Sequence, residues 1–230
     1  MHPLRRHQLA IVSTAGWREI LAADWDYEVR EGLAHWAKHG LPLVVTRQRV
    51  PRRNPCDPIT VGLCLPARWS RRLVALQLPW ACVTLFSEFP TLAEALRKLP
   101  KIDHPALRTT AAELGARGLR ARVYGSVGWQ CLTGMSYVHE RSDLDLWVAV
   151  DGEQDADEAA AVLDRCMPPA LRVDGELVFT DGMATAWREW RQWRAGRCSS
   201  LLIKRLDGAD LLQRAPVVVE QRARAFAGVA

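Results

Sequence analysis

The stretch from Ala121 to Val150 constrains the fold more tightly than any other, because it sets a Gly-Ser turn and two carboxylates inside strand-like surroundings. Ala121 and Val123 precede Gly125 and Ser126, while Leu144, Leu146, Val148 and Val150 alternate with Asp145 and Trp147 further along. Such alternation predicts a strand with one face in a core. At a rise of about 3.3 Å per residue, Asp143 and Asp145 then share the opposite face about 7 Å apart at Cα. Mg²⁺ is a hard ion, held by one or two carboxylates together with substrate phosphates. Two such ions about 4 Å apart can hold both the attacking and the leaving oxygen of an in-line displacement at phosphorus. Gly125 lets backbone amides approach a phosphate, and the Ser126 hydroxyl adds a donor. Either piece alone is ordinary, since Asp-x-Asp also occurs on solvated strand faces and Gly-Ser in surface turns. In this order, with strands around both, they point to a phosphate-handling two-metal site with Asp143 and Asp145 as its catalytic carboxylates.

Gly-Ser followed by Asp-x-Asp resembles the signature of the nucleotidyltransferase superfamily. A longer pattern is more specific: Tyr124-Gly125-Ser126, Trp129-Gln130, Leu132-Thr133-Gly134, Tyr137, then Ser142-Asp143-Leu144-Asp145-Leu146. It is similar to the phosphoribosyl-dephospho-CoA transferases of malonate decarboxylase. Arg172 to Leu177, Ala186 to Glu189 and Leu202 to Lys204 resemble later blocks of that family, and Pro42 to Val45 and Val61 to Leu63 resemble its N-terminal half more weakly. Ser126 and Asp143 stand 17 positions apart, farther than is usual in the superfamily, and the additional residues carry the Trp-Gln-Leu-Thr-Gly string.

The resemblance implies an α/β (α+β) fold, with a nucleotidyltransferase-like mixed sheet, flanking helices and a small N-terminal α/β domain. It implies transfer of the phosphoribosyl-dephospho-CoA group from triphosphoribosyl-dephospho-CoA to a serine of the apo acyl-carrier subunit of malonate decarboxylase, with release of pyrophosphate. Two Mg²⁺ ions are the expected cofactors. A third metal carboxylate is implied on a neighbouring strand. Asp174 and Glu176 share one strand face there; Asp174 is favoured as the metal ligand, and Glu176 is placed with the substrate-binding residues. Asp174-Gly175-Glu176 also reads as a hairpin tip, because Asp-Gly is a strong turn signal. Two rivals stand beside this reading: a nucleotidyltransferase that adenylylates a protein or small molecule from ATP, and a non-catalytic carrier-binding module.

The chain has 230 residues, enough for a core and for two domains, placed at 1–85 and 86–230, the first a possible contact for carrier protein or substrate. Its net charge of +5 suggests an anionic partner. Arg47, Arg49, Arg52, Arg53, Arg68, Arg71 and Arg72 gather in the first half, as a surface that would steer an acidic carrier, whereas Asp151 to Asp164 is acidic. No RNA-binding motif supports a nucleic-acid partner. Leu9 to Val12 is too short an apolar run for an export signal, and no run reaches the roughly 20 residues needed to cross a bilayer. Six cysteines lack Cys-x-x-Cys pairing and zinc spacing, as expected for reduced thiols in a cytoplasmic protein.

Helical spacing runs from Trp17 to Lys38 and ends at Gly40, with strands expected over Leu41 to Thr46, Val61 to Leu65 and Arg72 to Leu76. Pro51, Asn54, Pro55 and Pro58 mark a loop, and Pro79 to Pro90 reads as the linker. Thr91 can cap a helix that stops before Pro100, followed by helices over Pro105 to Arg117 and Gln154 to Arg165 and a strand from Leu171 to Phe179. Trp187, Trp190 and Trp193 recur every third position beside Arg188, Arg191 and Arg194, a pattern that reads as core against solvated charge. Arg188 is the best of these arginines to bind phosphate. Lys204 sits in an apolar run and either meets a phosphate or guards an edge strand. Trp129 and Gln130 are expected at the pocket floor, with a core role open for Trp129.

Overall fold

A computed structural model of the chain describes residues 4–48, 57–99, 102, 104–167 and 172–213. The expectations for Arg49, Pro51, Arg52, Arg53, Asn54, Pro55, Cys56, Pro100 and Leu171 lie outside the described residues. The first unit is an antiparallel sheet of β1 (Gln8–Val12), β2 (Leu43–Val45), β3 (Ile59–Cys64), β4 (Leu73–Leu78) and β5 (Val83–Glu88), in the order β4-β3-β2-β1-β5. Two helices, α1 (Thr14–Ala22) and α2 (Tyr27–His39), stand where the sequence predicts one continuous periodic stretch. The break has local causes. The Trp25 indole donates to Ile20 O at 2.7 Å and closes the first helix, and the Asp26 carboxylate accepts from Val29 N at 3.0 Å and starts the second. Gly40 ends α2 in the left-handed region at φ 60°, where glycine has no Cβ to strain. Leu9, Leu33, Trp36, Leu43, Ile59 and Leu65 are fully buried between these elements.

Two expectations about this half need correction. Val83–Glu88, read as linker, pairs with β1 from Gln8↔Glu88 to Val12↔Val83, so the first sheet runs past a boundary at residue 85. The segment weighed only as an export signal is a central strand, with Leu9 and Ala10 buried.

The second unit opens with α3 (Leu92–Lys98), where Thr91 and Glu94 form a reciprocal capping box, and continues with α4 (Pro105–Ala116). Then follow β6 (Ala121–Val123), α5 (Gly125–Thr133), β7 (Leu144–Val150), α6 (Glu153–Cys166), β8 (Val173–Phe179), β9 (Ala184–Ala186), α7 (Trp187–Arg194), β10 (Ser200–Lys204) and β11 (Ala209–Gln213). The sheet order is β11-β10-β9-β8-β7-β6, with β7 and β8 parallel and the remaining pairs antiparallel. This mixed α/β sheet agrees with the expected fold class. β9 and β11 were not foreseen; the first has three residues, and all five of the second are exposed at the sheet edge. Asp174-Gly175-Glu176 lies inside β8, which rules out the hairpin tip.

The two faces of this sheet differ. Leu144, Leu146, Val148 and Val150 pack with α6 residues such as Ala156, Ala159 and Leu163 in one core, whereas Asp145, Trp147 and Ala149 face the other way, toward the first unit. The units are joined by packing as well as by chain. Trp129 of α5 is buried in the core of the first unit against Trp36 and Phe89, and Tyr137 Oη donates to Cys64 O at 2.7 Å. Arg122 pairs with Glu88 at 2.6 Å, and Gln48 N donates to Leu206 O at 2.8 Å. The free cysteines among the described residues are Cys64, Cys82, Cys131, Cys166 and Cys198.

Candidate active site

β6 delivers the chain to Tyr124, whose N–H donates to Asp145 O at 3.0 Å, and α5 starts at the next residue. Gly125 has φ 58°, and a Cβ placed on it would lie 1.8 Å from Asp145 Oδ2. Both the left-handed backbone and the close approach of a carboxylate therefore require glycine here. Ser126 follows in the first turn of α5, where free backbone N–H groups and the helix dipole favour an anion.

The parallel register of β7 and β8 sets Asp145 beside Asp174 and Trp147 beside Glu176. Asp145, Asp174, Glu176, Arg188, Lys204 and Tyr124 line one cleft of about 360 Å³, with Gly175, Trp187 and Glu189 completing its wall. Burial, then the nearby charges of Asp174, Asp143 and Glu176, push Asp145 up to about 6. A carboxylate raised in this way is short of positive charge. Arg188 lies 3.6 Å from Asp174 Oδ1, donates to Val173 O at 2.8 Å and stacks over the Trp187 ring at 4.4 Å.

Glu176 is the opposite case. It is buried, yet it carries Lys204 Nζ at 2.7 Å, His7 Nε2 at 2.9 Å and Arg6 at 3.5 Å. Burial alone raises this carboxyl; the hydrogen bonds from His7 and Lys204 outweigh it and hold the group at about 2. His7 takes φ 61° and its ring centroid lies 4.1 Å from that of Tyr124, so the first unit sets a residue in a strained conformation against Tyr124 and Glu176, two of the groups that line the cleft.

Three sequence-predicted site residues lie elsewhere. Asp143 precedes β7, pairs with Arg172 Nε at 2.6 Å and lines a separate cleft of about 220 Å³ with His104 and Ser142, so it does not share the Asp145 cleft. Trp129 belongs to the core between the units rather than to the pocket floor. Gln130 is likewise turned inward, accepting from Tyr137 N at 3.0 Å and Val138 N at 2.9 Å, which shapes the bend after α5. Among the described residues, no group of three or more His, Cys, Asp or Glu is arranged to hold a metal ion.

Two family models divide the chain where the structure does. The N-terminal domain of phosphoribosyl-dephospho-CoA transferase MdcG matches residues 5–89 and its C-terminal domain matches residues 91–215. The chain belongs to the phosphoribosyl-dephospho-CoA transferase family. It is 36% identical over 213 residues to a phosphoribosyl-dephospho-CoA transferase of Bradyrhizobium diazoefficiens, covering 92% of this chain and 91% of that one. A transferase of the same name from Xanthomonas axonopodis pv. citri is 33% identical over 212 residues, covering 91% and 94%. No solved structure matches at a significant level. No helix among the described residues is long and apolar enough to cross a membrane.

Several cations that pair with the acids of the two clefts were missed in the sequence: Arg6 and His7 on Glu176, and Arg172 on Asp143. Arg6, His7 and Arg172 carry no local motif. The basic stripe of α7 divides by partner: Arg191 pairs with Asp164, and Arg194 with Glu153 and with Asp157 at 2.7 Å, all on α6, which leaves Arg188 to the cleft.

Proposed function

We propose that this chain transfers the phosphoribosyl-dephospho-CoA group from triphosphoribosyl-dephospho-CoA to a serine hydroxyl of the apo acyl-carrier subunit of malonate decarboxylase, releasing pyrophosphate. Family membership supports the group transferred, and the Asp145 cleft supports displacement at phosphorus. The reading is carried by the uncompensated carboxylate at Asp145, raised to about 6 beside a glycine whose missing Cβ lets that carboxylate come up against the start of α5. Such a site fits Mg²⁺: Asp145 and Asp174 would hold it, joined by Asp143 if its pair with Arg172 opens. Bound there, the ion would neutralise charge growing on the α-phosphate and the leaving pyrophosphate.

The rest falls to the chain's own groups. Lys204 and Arg188 border the cleft as cations for phosphate oxygens, and the first-turn amides of α5 face the same anion. The serine oxygen bonds to the α-phosphorus, the bond from that phosphorus to pyrophosphate breaks, and the serine proton passes to solvent. Arg47, Arg68, Arg71 and Arg72 are the described part of the basic surface suited to an acidic carrier. The test is intact-mass spectrometry of apo carrier incubated with this protein, Mg²⁺ and either triphosphoribosyl-dephospho-CoA or ATP. The expected result is one added phosphoribosyl-dephospho-CoA and one pyrophosphate per carrier; modification by ATP alone would replace this reading with adenylylation.

A further inference from the structure

The face of the second sheet that bears Asp145 carries another cavity farther along. It has a volume of about 290 Å³, and its floor is Trp147 and Ala149 of β7 with Val178 of β8. Its other wall comes from the first unit, through Arg6, Gln8 and Glu88. From Asp145 to Ala149 is four residues, or about 13 Å along the strand. Glu176, with Arg6 and His7, lies between the two sites, since it pairs in register with Trp147.

Its chemistry differs from that of the Asp145 cleft. The charges around it are balanced: Arg5 and Arg6 face Glu88 and Asp151, Glu88 is paired with Arg122 at 2.6 Å, and Arg6 with Glu176 at 3.5 Å. A phosphate gains little from such a lining. Two buried donors nevertheless lack an acceptor among the described residues, Arg6 Nε and Trp147 Nε1, and Trp147 is only 7% exposed. A buried donor left unpaired is destabilising, so the occupant should bring acceptors without charge and offer apolar surface to Ala149 and Val178. Amide carbonyls on an aliphatic chain satisfy all three conditions.

We infer that this cavity between the two units binds the amide-bearing pantetheine arm of the donor. The inference rests on the transferase reading above, which supplies a donor whose arm is separated from the reacting phosphorus by two riboses and a diphosphate. The arm therefore has to lie well away from Asp145, and this cavity is at a matching remove on the same face. Binding energy gathered there positions the far phosphorus, and it gives the first unit a part in donor selection.

The test uses the full chain labelled with ¹⁵N-tryptophan, with the Trp147 indole signal assigned by its loss in Trp147→Phe. Pantetheine alone should move that signal, and ATP with Mg²⁺ should not. Ala149 is exposed, so Ala149→Leu should narrow the cavity without unfolding the chain, remove the pantetheine response and weaken dephospho-CoA binding at least tenfold. Trp147→Phe should weaken it about two- to tenfold, the effect of one neutral hydrogen bond. ATP affinity should hold in both. A Trp147 signal unmoved by saturating pantetheine, or wild-type dephospho-CoA affinity in both variants, overturns the inference even if carrier modification proceeds. Pantetheine that moves the signal while the carrier stays unmodified supports the cavity and instead counts against the transferase reading.

Discussion

Asp145 and Glu176 lie on neighbouring strands, two register pairs apart on the same face, and their carboxyl pKa values are shifted in opposite directions. At Asp145 burial comes first and the neighbouring carboxylates add to it, so the group is pushed up to about 6; at Glu176 burial acts in the same direction, but His7, Lys204 and Arg6 outweigh it and hold the group at about 2. Burial alone therefore does not set the character of a carboxylate, because the neighbours decide whether it prevails. Among the described residues Asp145 has no ion pair and suits a ligand that brings a cation, whereas Glu176 is already held by Lys204, His7 and Arg6. Glu176, expected among the substrate-binding residues, lines the Asp145 cleft and also ties the two units together through Arg6 and His7.

The largest expected effect falls on Asp145. Asp145→Asn should lower carrier modification by about 10³-fold, the scale of losing a group that stabilises transition-state charge. Its melting temperature without metal should hold or rise, because one of several repelling charges is gone. Turnover and thermal melting measured on one preparation check both, and a large loss of stability would show that the two carboxylates are alike after all. Glu176→Ala should do the reverse. It leaves Lys204 and Arg6, both partly open to solvent, without their shared anion, for a cost of about 1–3 kcal/mol in denaturant unfolding.

Gly125→Ala sharpens the comparison from the backbone. The left-handed φ of 58° costs an alanine about 1–2 kcal/mol, and its Cβ would displace the Asp145 carboxylate, so stability and transfer should fall together. The smallest effect is on pH dependence. Asp145 binds its proton more tightly when folded, so its contribution to metal-free stability falls as pH rises from 3.8 to about 6. Glu176 does so less tightly; its contribution is complete above pH 4.5 and is lost as pH falls toward 2. Urea midpoints across pH 3 to 7 should therefore show Asp145→Asn gaining on the wild type between pH 4 and 6. The deficit of Glu176→Gln should shrink toward pH 3.

Much of this was legible in the sequence wherever a short segment states its own structure. Leu144, Leu146 and Val148 alternating with Asp145 and Trp147 mark β7 and its two faces, because a strand has period two. Thr91 and Glu94 announce the start of α3, and Gly40 the end of α2, because caps are satisfied within a few residues. Gly125 identified the turn, and the Asp145 carboxylate shows why no other residue fits there. Such features are decided by local sterics and hydrogen bonding, so a linear reading finds them.

What only the tertiary structure decided was partnership between distant segments. His7 meets Glu176 across 169 positions, β1 recruits β5 from what looked like a linker, and Arg172 draws Asp143 out of the cleft it was expected to share. Trp129 satisfies a pocket pattern and a core pattern equally well in sequence; packing against Trp36 and Phe89 put it in the core. Periodicity says which side of an element is apolar, and composition says that cations and acids are present. Neither says which charge meets which, because that depends on how two separately folded faces dock, and on the electrostatic field they create together at Asp145 and Glu176.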